Sequence, residues 1–508
     1  VTGPVIDLER VREAQNERAA RERAAADYGR YGRDTPIAID PSILPEGVVH
    51  GTDLAAAHLL VDQHGRDLRY CGELGWLAWD ARRWAGDDTA ERRRRMHCVG
   101  RSIELYAAQL LEDAARATSK TEAEELRAQA QKYARWARQT QTDSGIAHAL
   151  SVAEALVPLR AAALDLAPML VTTRSGTLDL RADGNELRDF RREDLITRLT
   201  GCAYDPHAAA PAWEAFVERV LPDAEVRAFV QRALGYSLTG DTSEQIMFIA
   251  HGVGANGKSS LLETVRHVMG DYATHVQTDT LMAIGRPRGA DNDLMRLRGA
   301  RFVTAIESGE GKRLDEPRIK SLTGGDTVTA RLLYHEPIEF RPTAKLWLAT
   351  NHRPEVTGTD HAIWRRLRLI PFEVTIPEAE RDPELQAKLR AESDGILAWM
   401  VRGCLDWQQG GLRAPEAVMA ATESWRADSD ELMRFIVDRC EVLEGVRTRS
   451  GDLYAAYTTW ARAEGNREPL SSQAFGRRVT EAGFAEQRAK DARYRRGIGL
   501  RETTEGER

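Results

Sequence analysis

The apolar residues of this chain repeat with a helical period over long stretches and condense into short unbroken runs near its middle. Between Arg92 and Pro168, alanine and leucine mix with paired charges, and Ile103, Tyr106, Ala107 and Leu110 fall on one face, which predicts several helices. Another helix is expected to open at Ala55 to Leu60. Trp213, Phe216, Val217 and Val220, then Val226, Phe229, Val230 and Leu234, predict two more. The apolar segments ending near Ala250, Glu307 and Asn351 read instead as strands. Leu68 to Cys71, Gly75 to Asp80 and Trp84 form a tryptophan-rich patch that predicts a small hairpin packed on helices. Leu178 to Leu187, with turn signals at Gly176 and Gly184, predicts a second hairpin, and Val328 to Tyr334 with residues 337 to 346 a third. Helix-like segments at 430 to 442 and 450 to 463, and one from Ser471 and Ser472, are followed by strands. At the other end, residues 9 to 34 mix arginine, glutamate and alanine as a charged arm, with a Pro/Gly-bearing linker after it.

Chemistry concentrates where the short runs end. Gly252-Val253-Gly254-Ala255-Asn256-Gly257-Lys258-Ser259 fits the pattern GxxxxGK[ST], between a strand-like run and a helix-like one beginning at Ser260. Glycines let backbone N–H groups converge on an anion, and the helix N-terminus adds unpaired amides. Gly252, Gly254, Asn256, Gly257, Lys258, Ser259 and Ser260 are therefore the expected nucleotide contacts. The pattern also occurs in nucleotide kinases and transporters, so its downstream partners matter. Arg301 to Glu307 reads as a strand delivering a carboxylate to its C-terminal end, where open α/β sheets place ligand chemistry, and Glu307 is the expected general base. Lys345 to Asn351 ends in an amide, and Trp364-Arg365-Arg366-Leu367-Arg368 follows. Taken singly these are a surface glutamate, a capping asparagine and a solvated basic face; their order gives the combination its meaning.

Length and composition set outer bounds. A chain of 508 residues exceeds one comfortable core, so two to four domains are expected. It is 42% hydrophobic and 29% charged, without an apolar stretch long enough for a membrane span. The charged first thirty or so residues lack the apolar core of a signal peptide, so the expected compartment is the cytoplasm, that of the host for a phage-encoded chain. Cys71, Cys98, Cys202, Cys404 and Cys440 are too scattered for a structural zinc site, and the twelve histidines form no compact ligand set. His251, beside the loop, is more often packing than chemistry. The net charge of -7 does not advertise nucleic-acid binding, but the field at a binding surface depends on local charge. In residues 471 to 500, Arg477, Arg478, Arg488, Lys490, Arg493, Arg495 and Arg496 outnumber the acidic side chains.

With these elements in place, residues 195 to 372 resemble the superfamily 3 helicase domain of the phage and plasmid primase-helicase family, related to the poxvirus primase-helicase. The resemblance rests on Gly252 to Ser259, Glu307, Lys320-Ser321-Leu322-Thr323-Gly324-Gly325-Asp326, Asn351-His352-Arg353-Pro354, and Trp364-Arg365-Arg366 through Pro371-Phe372; Tyr204-Asp205-Pro206 is similar to the region before that domain. It implies an α/β ATPase core of the superfamily 3, AAA+-like type, with an α-helical N-terminal domain and a C-terminal winged-helix-like domain. The expected division is a charged arm and linker at 1–50 and a mainly helical domain with small hairpins at 51–209. The ATPase follows at 210–400, a helical connection at 401–428 and the winged-helix-like domain at 429–508.

Members of such a family hydrolyse ATP at the interfaces of hexameric rings and translocate on single-stranded DNA, commonly 3' to 5'. The implied cofactors are ATP and Mg2+. Lys258 would steady the β- and γ-phosphates, Ser259 would hold magnesium with Glu307 at the same site, Asn351 would sense the γ-phosphate, and Arg365 or Arg366 would enter a neighbour's site. Two departures stand out. Little room precedes residue 200 for a polymerase-like primase domain, so a separate primase or polymerase is an expected partner. The acidic strand ends in Ile306-Glu307 rather than in an acidic pair.

For DNA, Arg331, His335 and Lys345 are the expected pore contacts, and Arg477 and Arg478 the expected contacts of the terminal domain. Expected partners are single-stranded and forked DNA and further copies of the chain, with no membrane. A different reading is an ATP-dependent origin-binding or replisome-assembly protein that does not itself unwind. A small-molecule kinase is a third, disfavoured by the arginines after Asn351 and the large flanking domains.

Overall fold

A five-stranded parallel sheet occupies the middle of the computed structural model, which describes residues 39–181, 186–283, 292–307, 309, 312–330, 338–356, 361–464, 469–489 and 492–501. Its strands are β1 (Met247–His251), β2 (Ala273–His275), β3 (Phe302–Glu307), β4 (Lys345–Thr350) and β5 (Leu367–Pro371), in the spatial order β5-β1-β4-β3-β2. Both faces are covered, which explains the unbroken apolar runs. Alternate side chains feed two cores: Phe248, Ala250, Trp347 and Ala349 enter one, while Met247, Ile249, Leu346 and Leu348 enter the other.

Helices α1 (Pro211–Val220), α2 (Ala224–Leu238), α3 (Lys258–Met269) and, later in the chain, α5 (Ser393–Gly410) contribute to the first core. The second takes in α4 (Glu316–Gly324) and Trp425 of α6 (Glu416–Ser429). Asp223 caps α2 through the amides of Glu225 and Val226 at 2.8 and 3.3 Å. Where α2 crosses α5, a Cβ on Gly235 would meet the Cys404 nitrogen at 2.1 Å and one on Gly403 the Gln231 oxygen at 2.1 Å. Only glycines permit that approach.

Ahead of the sheet, helices Asp53–His64, Glu91–Arg116, Lys120–Thr140 and Asp143–Ala153 share a core with the tryptophan patch. The patch is a three-stranded antiparallel sheet, Leu68–Cys71, Gly75–Trp79 and Trp84–Gly86, one strand more than expected, because Trp84 pairs with Trp79 and buries beside it. The second expected hairpin likewise gains a strand, Leu170–Thr172, next to Thr177–Asp179 and Leu187–Arg188. Arg301 ties this region to the sheet: its guanidinium donates to Leu238 O at 2.7 Å and Ala167 O at 3.3 Å and lies over the Tyr272 ring.

The second strand of the hairpin after α4 ends at Phe340, earlier than the sequence predicts. Val328–Ala330 pairs with Ile338–Phe340, and the chain then turns into β4. Lys345 is therefore not a hairpin residue. It is 1% exposed, its Nζ donates to Thr239 O, Asp241 O and Thr343 O, and it faces the Tyr236 ring at 4.8 Å, so the expected DNA contact at this position is corrected to a buried structural lysine. The sequence-level error was to extend the hairpin through residues that begin a central strand.

After α6 come Glu431–Arg439, Cys440–Arg449, Ser450–Ala463, Ser472–Glu481, Glu486–Arg488 and Arg493–Leu500. The three expected helices are present, but the first stops at Arg439 and a strand intervenes before the second. Val442, Val446 and Thr448 favour extended backbone there, and the strand pairs antiparallel with Arg493–Leu500. The whole is a mixed α/β protein whose helical regions flank a parallel sheet.

Candidate nucleotide site

Strand register brings the expected residues to one edge. Thr350, the last residue of β4, pairs with His251 on one side and Glu307 on the other, so β1, β4 and β3 end level. Gly252 and Asn351 follow immediately, and Glu307 is two strand spacings from β1, about 10 Å. Each side chain sits at the C-terminal edge of a parallel sheet because each follows, or ends, a run buried on both faces.

The loop from β1 to α3 is shaped by close approach. Gly257 has φ 82°, and a Cβ there would meet Val220 Cγ1 at 2.5 Å and Phe216 Cε2 at 3.1 Å on α1. A Cβ on Gly252 would strike Phe372 O at 2.1 Å. Beyond β5, Ile376 N–H donates to Ala255 O at 2.8 Å, and Asn256 Nδ2 donates to Phe372 O at 3.1 Å, so the loop is braced from the opposite side. A cavity of about 440 Å³ adjoins it, walled by Phe216, Gly257, Ser260, Ile376 and Leu385. Gly254 and Ser259 are exposed, as are Val253 and Ala255.

Lys258 is 5% exposed. Its Nζ donates to Gly252 O at 2.6 Å, Asn256 Oδ1 at 2.9 Å and Asn351 Oδ1 at 3.2 Å. Burial pulls its pKa down to about 8, which leaves it largely cationic at neutral pH. A buried cation with only neutral oxygen partners, exposed loop residues and a helix N-terminus together suit a polyphosphate. His251 is half-buried, and its pKa is lowered first by burial and then by Arg353, Lys258 and His352.

Glu307 is 7% exposed. Its Oε1 accepts from Gly309 N–H at 2.6 Å, and its Oε2 lies 3.0 Å from Lys312 Nζ. Arg365 and Arg366 occupy the other end of the sheet: Arg366 O accepts from Met247 N–H, at the start of β1. Arg365 is exposed and reaches Gln245 Oε1 at 3.2 Å. Arg366 is 9% exposed and donates to Ala362 O at 2.7 Å. The structure therefore brings Lys258 and Asn351 into contact, sets Glu307 on the same edge, and separates the arginines from all three.

Arg331 and His335 lie outside the described residues. On Ser472–Glu481, Arg477 is exposed and Arg478 partly so, whereas Arg495 is buried against Gly476 O, Thr480 Oγ1 and Phe484 O. Sequence reasoning missed Lys312, whose only signal was its position five residues after Glu307 in a glycine-bearing loop. It named Arg353 only as part of a motif, without its pairing with Asp428 at 2.5 Å, and missed Trp425, which donates to Pro354 O at 3.0 Å; these fasten α6 to the segment after Asn351. Among the described residues no three His, Cys, Asp or Glu side chains cluster as metal ligands, and no helix is long and apolar enough to cross a membrane.

Three family models match in succession: "D5 N terminal like" over residues 57–222, "Family of unknown function (DUF5906)" over 250–366 and "Poxvirus D5 protein-like" over 427–496. L207/L206 of Acanthamoeba polyphaga mimivirus, named as a candidate helicase, is 28% identical over 328 residues, covering 59% of this chain and 34% of its own. Along these stretches the chain is similar to primase-helicases of phages and large DNA viruses. C962R of African swine fever virus (strain Badajoz 1971 Vero-adapted), named as a candidate primase, is 25% identical over 328 residues, covering 60% of this chain and 34% of its own. The chain spans about a third of the length of these curated relatives. The apo C-terminal region of NrS-1 aligns with a TM-score of 0.38 at 11% identity, over 61% of this chain and 87% of that one.

Proposed function

We propose that this chain is the ATP-hydrolysing motor of a replication primase-helicase, with an AAA+-like core of superfamily 3 that moves on single-stranded DNA as a hexameric ring and opens forked duplex. One observation carries the reading: the phosphate loop, Asn351 and Glu307 sit at the level C-terminal ends of three adjacent parallel strands. The strand order β5-β1-β4-β3-β2 supports the AAA+-like core. The order helix, strand, helix, helix, strand, strand after α6 supports a winged-helix-like DNA-binding domain, with Arg477 and Arg478 facing phosphates.

In this reading the backbone amides of 253 to 259 take the polyphosphate, and Lys258 exchanges its neutral oxygen partners for phosphate oxygens. Asn351, already in contact with Lys258, reports the γ-phosphate. Glu307 accepts the proton of the attacking water. Ser259, with Glu307 on the same edge, would hold magnesium, which would neutralise phosphate charge. An arginine from the start of β5 cannot serve its own site, because five strand residues, about 16 Å, separate it from the loop. It therefore acts on the next subunit, and exposure selects Arg365 over Arg366.

Strand displacement from a forked duplex, measured with ATP and with a non-hydrolysable analogue, tests the motor. Displacement that requires hydrolysis is expected. DNA-stimulated hydrolysis without displacement would instead favour the assembly role.

A further inference from the structure

Glu307 is tied to the exit of its own strand. Oε1 accepts from Gly309 N–H at 2.6 Å, and Oε2 faces Lys312 Nζ at 3.0 Å. Among the described residues no hydrogen bond joins it to Lys258, Ser259 or Asn351. A carboxylate acts as a base only when a lone pair faces the water it deprotonates. Here one oxygen accepts from a backbone amide, and the other makes no hydrogen bond but lies in an ion pair with the Lys312 ammonium.

Lys312 also reaches Asp279 Oδ1 at 3.0 Å, so its ammonium bridges two carboxylates. Its backbone is fixed independently. Glu355 N–H donates to Lys312 O at 2.9 Å and Leu314 N–H to Glu355 O at 2.9 Å, four residues beyond Asn351. The side chain, 41% exposed, can leave Glu307 without disturbing that pairing. Three residues further on, Asp315 caps α4 through Arg318 N–H, and α4 leads to the Val328–Ala330 and Ile338–Phe340 hairpin. The bridge thus lies in the short connection between the acid and the hairpin.

Resting on Glu307 as the general base, we propose that Lys312 is a positioning residue that holds Glu307 back from the phosphate loop, keeping hydrolysis slow until DNA engagement of the hairpin shifts the connection and frees the carboxylate. The ammonium does no chemistry on the nucleotide. It competes with the attacking water for Glu307.

The test compares steady-state ATP hydrolysis by full-length wild type, Lys312→Met, Lys312→Arg and Glu307→Gln, with and without single-stranded DNA, alongside equilibrium binding of a fluorescent non-hydrolysable ATP analogue. Methionine keeps the stem and removes the charge. Lys312→Met should raise the DNA-free kcat by about fivefold or more, with KM and analogue affinity within about twofold, and so shrink the stimulation by DNA. Lys312→Arg should track the wild type. A DNA-free rate in Lys312→Met that is unchanged or lower, with Glu307→Gln inactive, overturns the proposal. Full hydrolysis by Glu307→Gln would overturn the assignment of the base itself.

Discussion

Lys258 donates to the side-chain oxygen of Asn351 at 3.2 Å, although the two are 93 positions apart. The contact links the residue expected to bind phosphate to the residue expected to sense it before any nucleotide is present. Replacing Asn351 by alanine should therefore lower kcat by about 10- to 100-fold, roughly 1.4 to 2.7 kcal/mol of transition-state stabilisation. Nucleotide affinity should change by no more than about threefold. Parallel turnover and analogue-binding measurements check this; weakened binding at an unchanged kcat would reduce Asn351 to a ground-state contact.

The two arginines should separate cleanly. Arg365→Ala should abolish hydrolysis at an unchanged melting temperature, and mixing it with Lys258→Ala subunits should restore turnover, because each mutant supplies what the other lacks at a shared interface. Arg366→Ala should instead lower stability by about 2 kcal/mol, since the guanidinium is buried on Ala362 O and Gln245. Thermal unfolding and subunit mixing decide between them. Rescue by Arg366→Ala but not by Arg365→Ala would reverse the assignment.

Lys345 carries a prediction opposite to its sequence reading. Lys345→Met strands three carbonyl oxygens and should cost about 2 to 4 kcal/mol of stability. At a temperature where the variant is folded, the salt dependence of DNA-stimulated hydrolysis should match the wild type. A shallower salt slope would mean that Lys345 touches DNA after all.

Much of the site was legible because its signals are local. The phosphate loop is one contiguous pattern, and Glu307 and Asn351 each close a short apolar run that two covered faces require. What escaped were relations set by register and tertiary contact. Lys345 opens an apolar run as a hairpin residue does, and only pairing with Phe302 on one side shows that it begins a central strand. The difference between Arg365 and Arg366 is one of burial, invisible in adjacent identical letters. Lys312 belongs to the site through an ion pair across a loop, which no spacing rule encodes. At the chain's end, the strand Cys440–Arg449 was hidden because its charged residues fit an exposed helix face as well as an exposed edge.

The helical region ahead of the sheet should be acid-sensitive. His64 is buried beside Arg95, and burial first, then Arg95, pulls its pKa from 6.5 to about 4, with Asp67 opposing. The folded-state pKa lies below the unfolded one, so unfolding takes up a proton once the pH falls under 6.5. The stabilisation is complete above that value and disappears as pH falls toward 4, amounting to about 3 kcal/mol. Hydrogen-exchange protection of Asp53–His64 and Glu91–Arg116 should drop between pH 6.5 and 4.5 ahead of that in α2. Simultaneous loss in all three would contradict a local origin.

The central claim is that one nucleotide site drives movement on DNA. The most direct test measures ATP hydrolysis and forked-duplex unwinding in parallel for the wild type and Lys258→Ala. Both activities in the wild type, lost together in a variant that still folds and binds DNA, are the predicted result. Unwinding that survives in Lys258→Ala, or wild-type hydrolysis that never displaces a strand, would contradict it.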